Sequence, residues 1–236
     1  MRQVPHYLLI GSGRVARHFS FYFEKRHLSF STWHRNQPIQ TLHQRVEQAT
    51  HILLAISDDA IESFIENTLP ATPATLIHFS GSLVTKKAYG AHPLMTFNQQ
   101  LYDETYYTNI PFVLDHDAPD FADLLPGLSN PHARLHTTLK IKYHALCVLA
   151  ANFSCILWKK LFTAFENELQ LAPELAHPLL RQQMNNLMHD PRTALTGPLV
   201  RKDLQTISKH LNILTDDPFC TIYQAFLSLG LHHEHS

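Results

Sequence analysis

Three side chains in this 236-residue chain are placed to move or hold a proton: His92, His144 and Asn152. Histidine titrates near neutral pH, which suits it to general acid–base work. His92 precedes Pro93 in a polar-flanked stretch that reads as a loop at the C-terminal edge of a sheet, where open α/β folds bind ligands. A second role fits the same residue, hydrogen bonding that shapes the turn before Pro93. His144, Val148 and Asn152 recur at i, i+4 and i+8, so they fall along one face of a helix. That helix is otherwise apolar, and buried polar groups on it need partners. They either bond within a helical domain or face a cleft, and the cleft is our expectation. Lys140 and Lys142 lie nearby and read as solvated residues of the helix start. Farther on, Asp203 suits the N-cap of a helix over 204–214. Arg201 could bind a substrate carboxylate, and Thr96 is a second candidate substrate contact.

The element that must position these groups begins at Tyr7. A short apolar strand, Tyr7 to Ile10, runs into Gly11-Ser12-Gly13-Arg14-Val15-Ala16 and then a helix. This is the G-x-G-x-x-A spacing of a dinucleotide-binding turn. Gly11 permits the tight turn, Gly13 lets backbone approach a pyrophosphate, and small Ala16 lets helix pack on strand. The helix N-terminus offers free N–H groups to the phosphates. With only seven glycines in the chain, two at these positions carry weight.

Strands at 28–33, 51–57, 75–79 and 111–114 alternate with helices at 17–25, 40–47 and 58–67, the last entered through Ser57 and Asp58 as caps. That alternation predicts a Rossmann-type, doubly wound parallel sheet. From Thr138 the pattern becomes helical. The first helix, 138–171, is apolar nearly all round, which predicts burial on several sides, part of it against a second copy of the chain. We divide the chain into a nucleotide-binding domain, 1–137, and an all-α substrate and dimerisation domain, 138–236.

The end of the second strand selects the dinucleotide. NAD-specific folds usually carry Asp or Glu there, to accept bonds from the adenosine ribose. Here the stretch reads Trp33-His34-Arg35, and no acidic residue occurs between Glu24 and Glu47. Arg35 can pair with a 2′-phosphate, and Arg14 can assist by charge or by stacking on adenine. NADP is therefore expected over NAD. The expected cofactor contacts are Gly11, Ser12, Gly13, Arg14, Val15, His34, Arg35, Ser57, Asp58, Ser80 and Gly81.

Bulk composition narrows the partners. A formal net charge of −1 argues against a generic nucleic-acid or anionic-membrane binder. No uninterrupted apolar run approaches the roughly 20 residues that span a bilayer, so no membrane partner is expected. Cys147, Cys155 and Cys220 show no C-x-x-C spacing and fit a reducing cytoplasm. The 18 histidines are scattered without an H-E-x-x-H spacing, so no metal site is expected. His232, His233 and His235 at the C-terminal end read as adventitious metal ligands.

Residues 1–137 resemble the reductases related to pyrroline-5-carboxylate reductase and the 3-hydroxyacid dehydrogenases. The resemblance implies that the turn Ala55-Ile56-Ser57-Asp58-Asp59-Ala60-Ile61 lies over the nicotinamide half of the cofactor. More closely, the chain is similar to a family of uncharacterised NADP oxidoreductases that join a Rossmann-like domain to a helical domain of unknown function. The matching stretches are His78-Phe79-Ser80-Gly81-Ser82, Ala91 to Phe97, Tyr143-His144-Ala145 with Asn152-Phe153, and Leu195 to Asp203. Lys202 departs from the pattern, where that family usually has Gly. The resemblance also implies dimerisation through the helical domain. The combined expectation is an NADPH-dependent oxidoreductase of a small C=O or C=N substrate, homodimeric and cytoplasmic. The competing expectation is a non-catalytic NADP-binding sensor or scaffold.

Overall fold

The computed structural model describes residues 4–232. The first strand, β1 (Tyr7–Ile10), shows how the fold is built. All four of its residues are buried. Tyr7 and Leu9 pack into one apolar cluster with Phe19 and Phe23, while Leu8 and Ile10 pack into another with Trp33, Leu42 and Val46. A strand covered on both faces needs apolar residues at every position, which explains its unbroken hydrophobic run.

After β1 come α1 (Arg14–Lys25), β2 (Phe30–Trp33), α2 (Ile39–Gln48), β3 (His51–Leu54), α3 (Asp58–Asn67) and β4 (Thr75–His78). Then follow β5 (Tyr89–Pro93), α4 (Glu104–Thr108), β6 (Phe112–Asp115), α5 (Phe121–Leu124) and β7 (His132–Leu135). The seven strands form one Rossmann-like sheet in the order β2-β1-β3-β4-β5-β6-β7. Strands β1 to β5 are parallel, β5 and β6 are antiparallel, and β6 and β7 are parallel to each other. The all-parallel expectation is thus corrected at the β5–β6 junction. Two of these strands were not legible in the sequence. Strand β5 contains Gly90 and Pro93, both poor strand formers, and the exposed β7 lacks apolar alternation. His92 consequently lies on β5, not in a loop.

The long helix is present and runs Thr137–Asn167, ending short of the expected Leu171. It opens with a 3₁₀ turn, continues as α6 (Lys140–Cys147), loosens to a π-helical stretch over Val148–Phe153, and resumes as α7 (Ser154–Asn167). Its mean hydropathy reaches 1.5, so by length and composition it could cross a membrane. The expectation from uninterrupted apolar runs is corrected on this point. Scattered polar residues such as His144 and Asn152 break the run without lowering the average enough.

By compactness the chain divides into residues 1–156 and 157–236, whereas the sequence pattern changes at 137. The first turns of the long helix group with the sheet because sheet residues hold Lys140, Tyr143 and His144. The second unit contains α8 (His177–His189), α9 (Leu204–Ile213) and α10 (Phe219–His232). Its only buried hydrophobics among the described residues are Ala176 and Ile207, while Leu179, Leu187, Leu204, Phe226 and others are exposed. Asp203 caps α9 as expected, accepting from the Thr206 N–H at 3.0 Å. Lys202 has φ +53, a left-handed conformation that glycine adopts without strain. The side chains of His232, His233 and His235 lie outside the described residues.

Candidate functional site

A cleft of about 730 Å³ opens at the C-terminal ends of β1 and β3. Strand order reverses between these two strands, which is where open α/β sheets bind ligands. Gly11, Ser12, Gly13, Arg14 and Val15 line it on one side, with Trp33, His34 and Arg35 from the end of β2. Ser57, Asp58 and Ser80 line its other end.

The two glycines of the turn act differently. Gly11 has φ +131, and a Cβ there would stand 2.2 Å from the Ala55 carbonyl oxygen. Only glycine fits. Gly13 precedes α1, and a Cβ on it would meet nothing within 4 Å, so its backbone is open to the cleft. No acidic residue stands in the first turn of α1, leaving its N–H groups and dipole end available to an anion. At the end of β2 the indole of buried Trp33 donates to the Pro38 carbonyl at 3.2 Å. Trp33 is the last residue of β2, the strand end at which NAD-specific folds usually carry a carboxylate. Arg14 and Arg35 are exposed on the rim, without a hydrogen bond or ion pair among the described residues. Asp58 is the sole carboxylate among the lining residues, and it accepts from the Ser80 hydroxyl and, at 3.2 Å, from the Ser82 hydroxyl. Ser57 occupies the N-cap position of α3 but makes no side-chain cap bond. These donors, the two exposed arginines and the open backbone could hold a dinucleotide.

Beyond Ser80 the cleft adjoins a cluster of imidazoles. A Cβ on Gly81 would stand 2.7 Å from His144 Cδ2 and 3.1 Å from His92 Nε2. Gly81 therefore lets both rings close on the backbone after β4. The two rings are perpendicular with centroids 6.0 Å apart. His92 Nδ1 lies 2.8 Å from the Tyr143 hydroxyl. Burial, together with the His144 and Lys140 charges, lowers the His92 pKa to about 4, while Asp58 acts in the opposite direction. His92 is thus neutral at pH 7. Burial and the neighbouring Cys147 thiol push the Tyr143 hydroxyl well above its usual value, so it keeps its proton. Donation from the Tyr143 hydroxyl to His92 Nδ1 would leave a proton on His92 Nε2, the nitrogen that faces Gly81.

Two further buried groups stand behind this cluster. Lys140 Nζ lies 2.7 Å from Asp115 Oδ1, with the two side chains only 5% and 6% exposed. The expectation of a solvated Lys140 is corrected, whereas Lys142 is exposed. His78, fully buried at the end of β4, accepts from the Ser80 N–H at its Nδ1. Its Nε2 has no hydrogen-bond partner among the described residues. Burial and the Lys140 charge lower its pKa to about 4, against the opposite effects of Asp115 and Asp58.

Residues 115–228 match the family described as a domain of unknown function, DUF2520. The DUF2520 match thus begins at Asp115 and includes Lys140, Tyr143 and His144, while the G-x-G-x-x-A cleft precedes it. Among solved structures, the chain is similar to a candidate NADP oxidoreductase from Bacteroides fragilis (19% identity, TM-score 0.77), over 95% of this chain and 96% of that one. An imine reductase from Streptomyces aurantiacus aligns at 12% identity and TM-score 0.64, over 95% and 93%. A pyrroline carboxylate reductase from Plasmodium falciparum, solved with NADP bound, aligns at 11% identity and TM-score 0.58, over 96% of each chain. These likenesses establish a shared fold. No curated protein gives a significant match.

The structure brings together His92, His144 and Gly81, with Ser80 linking them to the cleft. It does not bring Asn152 to them. Asn152 lies in the π-helical stretch, is exposed, and makes no side-chain hydrogen bond among the described residues. The i, i+4, i+8 spacing assumes 3.6 residues per turn, and the wider π turn breaks that phase. Thr96 is exposed and lines a separate hollow of about 480 Å³ with Tyr102 and Tyr106. Arg201 is exposed in the second unit, its N–H bonded to the Gly197 carbonyl at 3.2 Å. Sequence reasoning missed Tyr143, His78 and the Asp115–Lys140 pair. The one available signal was an aspartate closing the apolar strand Phe112-Val113-Leu114-Asp115. Among the described residues, no three His, Cys, Asp or Glu side chains cluster in a way that could hold a metal ion.

Proposed function

We propose that this chain is an NADPH-dependent reductase of a small C=O or C=N substrate. The observation that carries this reading is the Gly81–His92–His144 cluster directly beyond the Ser80 end of the dinucleotide cleft. Bound NADPH would supply the hydride. Gly11 to Val15 would hold its pyrophosphate, Arg35 with His34 and Arg14 its adenosine 2′-phosphate, and Ser57, Asp58 and Ser80 its nicotinamide half. His92 would offer its Nε2 proton to the substrate oxygen or nitrogen as a neutral donor, with Tyr143 fixing the tautomer. A neutral imidazole keeps this role over a wide pH range because it need not be protonated first. Thr96 and Arg201 stay candidates for substrate contact, and Asn152 for a role in catalysis, each testable by alanine substitution.

The active species in this reading is a homodimer. Leu146, Leu149, Phe153 and Ile156 are exposed along the long helix, and the second unit buries too few apolar side chains to be stable alone. Light scattering should give twice the 27.1 kDa chain mass, and a monomer at micromolar concentration would reject the dimer. Three free cysteines fit a cytoplasmic location.

A substrate screen tests the function by following loss of NADPH absorbance with ketoacids, hydroxyacids in reverse, and cyclic imines. Turnover that falls about 10²-fold in His92→Ala, with NADPH affinity preserved, supports the assignment. Tight NADPH binding without turnover on any of them favours the non-catalytic sensor or scaffold instead.

A further inference from the structure

Lys140 and Asp115 are an expensive pair to bury, because each charge loses its water and their attraction recovers that only in good geometry. Such a pair is better explained by what it specifies than by what it stabilises. Its surroundings are built for it. Asp115 Oδ2 accepts from the Gly90 N–H at 2.7 Å. A Cβ on Gly90 would stand 2.5 Å from Lys140 Nζ and 2.6 Å from Asp115 Oδ2. The pair thus occupies the space that any other residue at position 90 would fill.

Two spacings then coincide. On β5, Gly90 and His92 point to the same face, roughly 6.6 Å apart at about 3.3 Å per residue. On α6, Lys140 and His144 share a face, about 6 Å apart at 1.5 Å per residue. Lys140 meets the Gly90 position while His144 meets His92, so helix and strand match at two successive steps. Tyr143, three residues after Lys140, reaches His92 Nδ1. A slip of one residue in the helix would leave two buried charges unpaired.

We infer that the Asp115–Lys140 pair is a positioning element: it locks the first turn of α6 to the sheet at Gly90 and thereby sets Tyr143 and His144 against His92 and Gly81. Only the purpose of the cluster rests on the reductase reading. The pair's hold on the cluster is measurable without turnover. His92 faces His144, Lys140 and Tyr143 from α6, Asp58 from α3 and His78 from β4, so loss of the Lys140 charge has a distinct electrical consequence.

The test uses the full chain with two neutral replacements. Lys140→Met/Asp115→Leu is apolar, and Lys140→Gln/Asp115→Asn keeps hydrogen bonding. The exposed Lys142→Met is the control. Imidazole titration by NMR, with His92 assigned from His92→Gln, is read beside NADPH calorimetry. In both double variants the His92 midpoint should move up, while NADPH affinity stays within about twofold, since the cleft is built elsewhere. With a substrate in hand, kcat should fall on the order of tenfold in the apolar variant with KM little changed, and partly recover in the hydrogen-bonded one. A folded double variant with the wild-type His92 titration and wild-type kcat overturns the inference and leaves the pair a contributor to stability alone. Failure of the reductase reading instead shows as absent turnover in the unmodified protein, and nuclear Overhauser contacts of the His92 ring with His144 and Tyr143 then decide: they should weaken in both double variants, and wild-type contacts overturn the inference, since loss of the Lys140 charge alone moves the His92 midpoint but not the contacts. A variant pair that folds only as Gln and Asn still gives that measurement.

Discussion

Arg35→Ala should weaken NADPH binding about 5- to 30-fold and leave NADH binding unchanged. The size follows from the setting of the side chain. Arg35 is exposed on the rim of the cleft and has no hydrogen bond or ion pair among the described residues. No existing contact must break when it meets a phosphate, and none is left orphaned when it is removed. A charge-assisted hydrogen bond contributes about 1.5–3 kcal/mol where it is sheltered. At an exposed rim the Coulomb attraction at 4 Å lies between about 1 kcal/mol in bulk water and about 4 kcal/mol at a protein surface. The lower third of that range, about 1–2 kcal/mol, suits an exposed side chain and converts to the stated factor. NADH carries a ribose hydroxyl at this position and loses nothing. Calorimetric titration of both cofactors against wild type and Arg35→Ala is the assay, repeated at low and high salt. The NADPH difference should shrink at high salt because screening acts on exposed charges. An equal loss for both cofactors would refute the reasoning, as would no loss for either. Equal wild-type affinities for NADPH and NADH would remove its premise.

Three other outcomes are expected. His78 and His92 have folded pKa values near 4, below the unfolded value of 6.5, so protons bind the unfolded chain more readily. Stability is then full above pH 6.5 and falls as pH drops towards 4, by about 3 kcal/mol for the fully buried His78 alone; urea midpoints that stay level across that window in wild type would count against it. Gly11→Ala forces a Cβ onto the Ala55 carbonyl at a left-handed φ. It should cost about 2–3 kcal/mol of stability or shift the turn, and calorimetry should find NADPH binding lost in either case. Lys202→Gly removes a left-handed conformation that costs a non-glycine residue about 1–2 kcal/mol, partly offset by the greater freedom of glycine when unfolded. These backbone terms leave a net gain of about 0.5–1 kcal/mol, from which the interaction of the Lys202 residue is subtracted; thermal or urea unfolding should show a gain no larger than that, and a larger one would count against the backbone argument.

The sequence by itself determined the nucleotide-binding half. Strand β1, its turn at Gly11 and Gly13, and the alternation through β4 are local signals, written in hydrophobic period and turn chemistry over a few residues. The gathering of Gly11 to Val15, His34, Arg35, Ser57, Asp58 and Ser80 around one cleft follows from those signals, because parallel strands bring their C-terminal ends to one edge. Only the tertiary structure decided the rest. Lys140 reads as a solvated lysine, and nothing near it in sequence announces Asp115 or the Gly90 that makes room for both. Strand β5 is held by pairing with β4 and β6 despite its Gly and Pro, so His92 left the loop that local propensity assigned it. Asn152 followed the opposite course, since its expected place depended on an α-helical phase that the π stretch interrupts. Local patterns record which face of an element is apolar. Which buried polar groups find one another depends on contacts between residues dozens of positions apart, and those exist only once the chain has folded.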